Sequence, residues 1–231
     1  MPRDTFEREL QRLQDEVLVL GSMVERAIIE SVETLKQRDF EGSRRLIAED
    51  RLINEKRFTI EADALVQIAT QQPMASDLRI LASVLEIATE LERVGDYAKG
   101  IAKINLMIGE KPLIKPLIDL PRMAEKSQDM LHRALEAFVR QDVELARAIP
   151  KEDAEVDALY NQVYRELLTY IISDPRTIDQ ATYLLWVAHN LERSADRVTN
   201  ICERVVFTVT GKMEEMDVEV GLEESGVEGL A

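Results

Sequence analysis

The chain has 231 residues, 45% of them hydrophobic, with one cysteine, two histidines and one tryptophan. That length suits one large domain or two small ones, and that apolar share is enough for a real core, which excludes wholesale disorder. With 44 Asp+Glu against 29 Lys+Arg, the net charge of -15 excludes a nucleic-acid groove, because such a groove needs clustered cations to displace counterions from phosphates. The lone Cys202 excludes an intramolecular disulfide and a Cys-rich zinc site, and fits a reducing compartment. The start, Met1-Pro2-Arg3-Asp4, has no apolar leader, and no run approaches the roughly 20 apolar residues of a membrane span. A soluble, acidic, intracellular chain is expected.

Prolines and glycines punctuate long periodic stretches rather than interrupting them. In the first stretch Phe6, Leu10, Leu13, Val17, Leu20, Val24, Ala27 and Leu35 follow 3–4 spacing, with Ser31 the one polar step, which predicts a helix with a continuous packing seam. Continuing along the chain, helices are expected near 4–37, 40–70, 76–108, 119–140, 142–171 and 176–210. Ser76 or Asp77 is the expected cap of the third. A helix of about 30 residues is roughly 45 Å long, so these pack lengthwise as bundles. No window sustains period-2 alternation, so the fold class is all-α. After Lys212 the sequence has seven acids, no base and three of the nine glycines, which reads as an acidic extension over 212–231 with no fold of its own.

The chain repeats itself. Asp39, Asp50 and Asn54 correspond to Asp142, Asp153 and Asp157 at an offset of 103, and Leu91-Glu92-Arg93 with Asp96 recurs as Leu191-Glu192-Arg193 with Asp196 at an offset of 100. Two tandem three-helix bundles related by duplication follow, over 1–110 and 111–211, joined by the proline-rich stretch 109–121.

The seams are interrupted by acids in matching places. On the third helix, the line Leu81, Leu85, Ala88 continues as Glu92 and Gly95, and on the sixth, Ala181, Leu185, Ala188 continues as Glu192 and Ala195. Asp96 and Asp196 follow one turn later on the same face. The second and fifth helices put Asp50 and Asp153 on their seams, with Asn54 and Asp157 a turn on. Burying an uncompensated carboxylate costs several kcal/mol, so something neutralises these groups. Two answers compete. Arginine is one, since Arg93 and Arg193 adjoin the glutamates and Arg57 sits on the second helix, although the repeat mate of Arg57 is Tyr160. A metal ion is the other, because facing helices with Asp/Glu one turn apart present convergent oxygen ligands. Carboxylates without thiolate or imidazole suit hard cations such as Mg²⁺, Mn²⁺, Ca²⁺ or iron.

Other chemistry is sparse. There is no glycine-rich phosphate loop, Ser-His-Asp set or HExxH motif. Neither histidine follows a glutamate by three, which disfavours an oxygen-activating di-iron bundle. His189, three residues before Glu192, reads as a satisfied or solvent-facing side chain, and Cys202 as a buried small hydrophobe.

QQPMASDLR at 71–79, LERVGDYAKGIA at 91–102 and LERSADRVTNI at 191–201 together resemble the PhoU family of phosphate-uptake regulators, over about residues 4–211. The resemblance implies a cytoplasmic, often dimeric pair of three-helix bundles. It also implies a non-enzymatic regulator that damps the phosphate-starvation response by contacting the ATPase subunit of the phosphate ABC transporter and the phosphate sensor histidine kinase. It further implies multinuclear iron or zinc, sometimes Mg²⁺ or Mn²⁺, on Glu92, Asp96, Glu192 and Asp196, with Asp50, Asp153 and Asp157 as helpers. Asn54 departs from its mate Asp157, and a neutral ligand there implies a weaker first site. Two other readings of the same carboxylates stay open: a dinuclear phosphohydrolase-like metalloenzyme, and a metal-free helical adaptor whose acids are ion-paired.

Overall fold

The computed structural model describes residues 3–216. Its helices are α1 (Arg3–Gln37), α2 (Phe40–Gln71), α3 (Ala75–Ile108), α4 (Asp119–Arg140), α5 (Val143–Ala148), α6 (Asp153–Ser173) and α7 (Ile178–Thr210), and among the described residues there is no strand. The first three helices form one bundle and the last four the other. The stretch expected as a single helix over 142–171 is broken into α5 and α6 by a 3-10 turn at Ile149–Glu152. Pro150 is the cause, since its ring clashes with the carbonyl four residues back and it has no N–H to continue the α pattern. A second 3-10 turn, Pro175–Thr177, leads into α7.

The boundaries repeat in atomic detail. Arg38 and Gln141 both take the left-handed conformation, and each is followed by an aspartate that caps the next helix. Asp39 Oδ1 accepts from Gly42 N at 2.9 Å, and Asp142 Oδ1 from Leu145 N at 3.0 Å. The α3 start differs from expectation: Met74 is the N-cap residue and supplies no side-chain hydrogen bond. Asp77 instead stands in the first turn, where its charge favours the helix dipole.

The seam of α1 buries Phe6, Leu10, Leu13, Val17, Leu20, Val24, Ile28, Val32 and Leu35. Near its end it therefore runs through Ile28 and Val32, not Ala27, while the buried Ser31 hydroxyl donates to Ile28 O at 2.7 Å. The two bundles share one continuous apolar core. They meet chiefly where α3 lies antiparallel to α7: Arg79 Nε donates to Thr208 O at 3.1 Å near the start of α3, and Asn200 Nδ2 donates to Glu90 Oε2 at 3.1 Å near its middle. The α1–α4 contact is antiparallel too, with His132 Nδ1 3.3 Å from Glu25 Oε1. The linker is held by Gln180, whose amide bridges Pro112 O and Ile114 N.

The acidic extension begins in contact with the bundle. Glu214 pairs with Arg147 at 2.9 Å, Met216 N donates to Glu203 Oε1 at 2.9 Å, and the Met216 side chain packs on the core. The rest of the extension, 217–231, lies outside the described residues.

Two tests follow from this packing. A Cβ at Gly21 would sit inside the van der Waals shell of the buried Leu135 Cδ1. Gly21→Ala should gain about 1 kcal/mol of helix propensity but lose about 2 kcal/mol to overpacking. Urea unfolding should therefore show a net loss near 1 kcal/mol, and a more stable variant would contradict the α1–α4 contact. The second test concerns Glu152, which accepts two bonds from Arg133 at 2.8 and 2.7 Å and one from Lys126 at 2.6 Å. Hydrogen bonding to Arg133 brings its carboxyl down to about 2. A depressed carboxyl stabilises the fold above the unfolded-state value and loses that contribution as pH falls towards 2. After screening of this partly exposed pair, about 2 kcal/mol is at stake. Thermal unfolding between pH 5 and pH 2 should show a smaller loss in Glu152→Gln than in the parent.

Candidate functional site

The seam-side acids gather into two sets, one on α2 and α3, the other on α6 and α7. In the first, Asp50 is buried and Glu92 is nearly so, at 8% and 17% side-chain exposure, whereas Asp96 is half exposed. Asn54 Nδ2 donates to Asp50 Oδ2 at 3.1 Å. Two cations close the set. Lys99 Nζ lies 2.7 Å from Asp50 Oδ2 and 3.2 Å from Asp96 Oδ1. Arg57 Nη1 is 3.9 Å from Glu92 Oε1, while its Nε donates to Glu61 Oε1 at 2.8 Å. Burial raises the Glu92 carboxyl first, and the neighbouring charges of Asp96 and Asp50 raise it further, against Arg57 and Arg93, which lower it. The Asp50 hydrogen bond raises Lys99, so its ammonium stays charged.

The second set has Asp157 where the first has Asn54, and Tyr160 and Thr199 where the first has its two cations. Glu192 is flanked by Asp196 and Asp157, and burial followed by those two charges pushes its carboxyl up to about 7. Burial also raises Asp157. His189 Nδ1 comes within 3.2 Å of Glu192 Oε2, but off the line a hydrogen bond needs, so this enclosed oxygen has no hydrogen-bond partner. His189 thus touches the set, although its ring is half exposed and tilts over Tyr160 at 6.3 Å. The remaining cation is Arg193, 3.6 Å from Asp196 Oδ2. Tyr160 and Thr199 occupy the repeat positions of Arg57 and Lys99. Asp153 opens α6 one turn before Asp157, beside the 3-10 turn.

The structure thus groups Asp50, Asn54, Glu92 and Asp96 in one half, and Asp157, Glu192 and Asp196 in the other. Among the described residues no three His, Cys, Asp or Glu side chains stand as a ready-made chelate. The sets differ in what they lack. The first already has its countercharge, so it does not fit a metal ion. The second has oxygen donors, an enclosed carboxylate oxygen without a hydrogen bond, and a carboxyl lifted by burial and then by two acidic neighbours, so its donor chemistry fits a hard cation.

Sequence reading missed Lys99, although it follows Asp96 by three residues, because its decisive partner Asp50 is on another helix. It also missed the buried Glu90, which joins α3 to α7 through Arg197 at 3.4 Å and Asn200, and accepts from Arg93 at 2.7 Å. Cys202 is buried, and burial pushes its thiol up to about 12, which rules it out as a nucleophile at neutral pH.

The family model for the PhoU domain matches twice, at residues 17–104 and 120–205, once in each bundle. The phosphate-specific transport system accessory protein PhoU homolog of Clostridium acetobutylicum is 36% identical over 94% of this chain and 100% of its own length. The phosphate-specific transport system accessory protein PhoU of Escherichia coli K12 is 33% identical over 90% of this chain and 86% of its own. Among solved structures, the phosphate transport system regulatory protein PhoU from Streptococcus pneumoniae superposes with a TM-score of 0.84 at 32% identity, covering 90% of this chain and 99% of that one. PhoU from Pseudomonas aeruginosa gives 0.84 at 31%, covering 90% and 100%. With the duplicated bundle, the repeated aspartate caps and the paired acid sets in place, these matches establish that the chain belongs to the PhoU family.

Proposed function

We propose that this chain regulates phosphate transport without catalysing a reaction of its own. The observation that carries the reading is the twofold PhoU match, one per bundle, combined with similarity over nearly the full length of accessory proteins of phosphate-specific transport. The side-chain chemistry agrees with it. The one thiol is buried, and each histidine lies beside a glutamate rather than a nucleophile. No helix among the described residues is long and apolar enough to cross a membrane. In this reading the regulator meets the transporter from its cytoplasmic side, through its ATPase subunit, and as a homodimer. It damps the phosphate-starvation response when phosphate is plentiful by also engaging the sensor histidine kinase.

Within this reading the second acid set is the metal site, with Glu192, Asp196 and Asp157 as ligands and Asp153 within reach of the same end of α6. A bound ion of the iron, zinc, magnesium or manganese class would supply the positive charge that Glu192 lacks. The chain's own part is to hold the three carboxylates on adjacent turns of α6 and α7. Fixing those turns together stiffens the outer face of the second bundle as a docking surface.

Deleting the gene should switch on phosphate-starvation genes in phosphate-rich medium, and unchanged transcript levels would sink the regulator reading. Glu192→Gln combined with Asp196→Ala should remove the metal from protein purified without chelator, as measured by elemental analysis. Equal metal content in parent and variant would return these acids to ion pairing.

A further inference from the structure

We propose that Lys99 is the resident cation of the first acid set, so that the first bundle excludes a metal ion while its duplicated partner is left to take one. The proposal builds on the reading of the second set as a metal site, but its statement about the first bundle stands on separate contacts and is tested separately.

The lysine nitrogen bridges Asp50 Oδ2 and Asp96 Oδ1 at 2.7 and 3.2 Å, one oxygen from each helix. A metal bound to that pair would need the same space, since metal–oxygen bonds of about 2.0–2.6 Å place the ion between the two carboxylates. The Asp50 oxygen also accepts from the Asn54 amide at 3.1 Å, so a metal would have to displace two donors from it. Lys99 is not loosely placed: its side chain is 26% exposed and its amine reaches an aspartate that is 8% exposed. Expelling it would strand a buried carboxylate until the metal arrived.

Charge arithmetic points the same way. In the first bundle Lys99 answers both Asp50 and Asp96, so a dication between those two carboxylates would meet a cation already in place. In the second, Asp157, Glu192 and Asp196 face Arg193, and a dication would complete the balance. Both differences trace to single repeat positions. Lys99 became Thr199 and Arg57 became Tyr160, or the reverse, after the duplication. Thr199 is itself buried, so no cation reaches the second set from that position.

The experiment uses the full chain with the second set silenced by Asp157→Ala and Asp196→Ala. Free Mn²⁺ is followed by electron paramagnetic resonance during titration, with metal content checked by elemental analysis. With Lys99 present, this background should hold no Mn²⁺ in the submillimolar range. Adding Lys99→Thr, which copies the second bundle, should create one site at least tenfold tighter. In chelator the Lys99→Thr protein should also melt about 5 °C lower, as expected for a buried Asp50 without its partner, and should recover on adding Mn²⁺. Should Lys99→Thr fail to fold, Lys99→Gln keeps a hydrogen bond to Asp50 and should show the same gain. Tight Mn²⁺ binding in the Lys99 background would overturn the proposal, as would a folded Lys99 variant that gains none. The converse change, Thr199→Lys in the otherwise unaltered chain, should strip metal from the second bundle. Metal-free parent protein would instead defeat the metal reading of the second set, while the Lys99→Thr titration would still decide the role of Lys99.

Discussion

The antiparallel contact between α3 and α7 is the constraint from which the rest of the molecule follows. Each of these helices is the innermost of its bundle, and each buries one face in its own bundle and another against its counterpart. Two helices buried on two sides have little perimeter left for charge. Glu90 sits in that contact at 7% exposure and is tolerated because Arg93, Arg197 and Asn200 converge on it from both helices. Replacing it would break a bridge between bundles, not merely a surface pair. Removing one partner of a buried, bonded charge costs more than the pair contributes. The other seam-side acids lie away from that contact, on the faces that α3 shares with α2 and α7 with α6. There the two acid sets are found.

Duplication explains why the sets match, and later divergence explains why they differ. A helix pair that places Asp and Glu a turn apart has a standing electrostatic debt, which any cation can settle. The first bundle settles it with its own side chains, a lysine on the same helix as Asp96 and an arginine on the same helix as Asp50. The second bundle has uncharged side chains at both positions, and burial followed by the charges of Asp196 and Asp157 pushes its Glu192 carboxyl up to about 7. The same sequence motif therefore sits among different cations in the two halves, with Lys99 bridging Asp50 and Asp96 in one and Arg193 beside Asp196 in the other. That asymmetry cannot be read from the motif, because the motif is the part that did not change.

Most of the fold was legible because its signals are local. The 3–4 spacing of α1, the aspartate caps at Asp39 and Asp142 and the prolines between helices each act within a few residues. The errors were local too. Pro150 was visible, yet the apolar pattern around Ile149 and Val156 ran through it, and only the backbone shows that the chain passes it in a 3-10 turn. Ala27 and Ile28 both satisfied the seam of α1, and packing against the neighbouring helices chose the larger one. The acid sets were half legible. That Glu92 and Glu192 replace apolar residues is written in the sequence, but which cation answers each is settled across helices. Lys99 and Asp50 are 49 residues apart, and no spacing rule connects them.

The partition of labour between bundles also bears on regulation. A bundle whose charges are closed internally keeps its shape whatever the metal supply, and it can hold α3 in place as a fixed platform. Across the α3–α7 contact, that platform fixes the inner face of the second bundle as well. On the proposed metal reading, the outer α6–α7 face is the one that would respond to an added cation, and α6 begins at the Pro150 break, where the helical hydrogen-bond ladder is already interrupted. Any effect of metal on partner binding should accordingly be confined to the second bundle, with α3 and the α1–α4 contact unmoved.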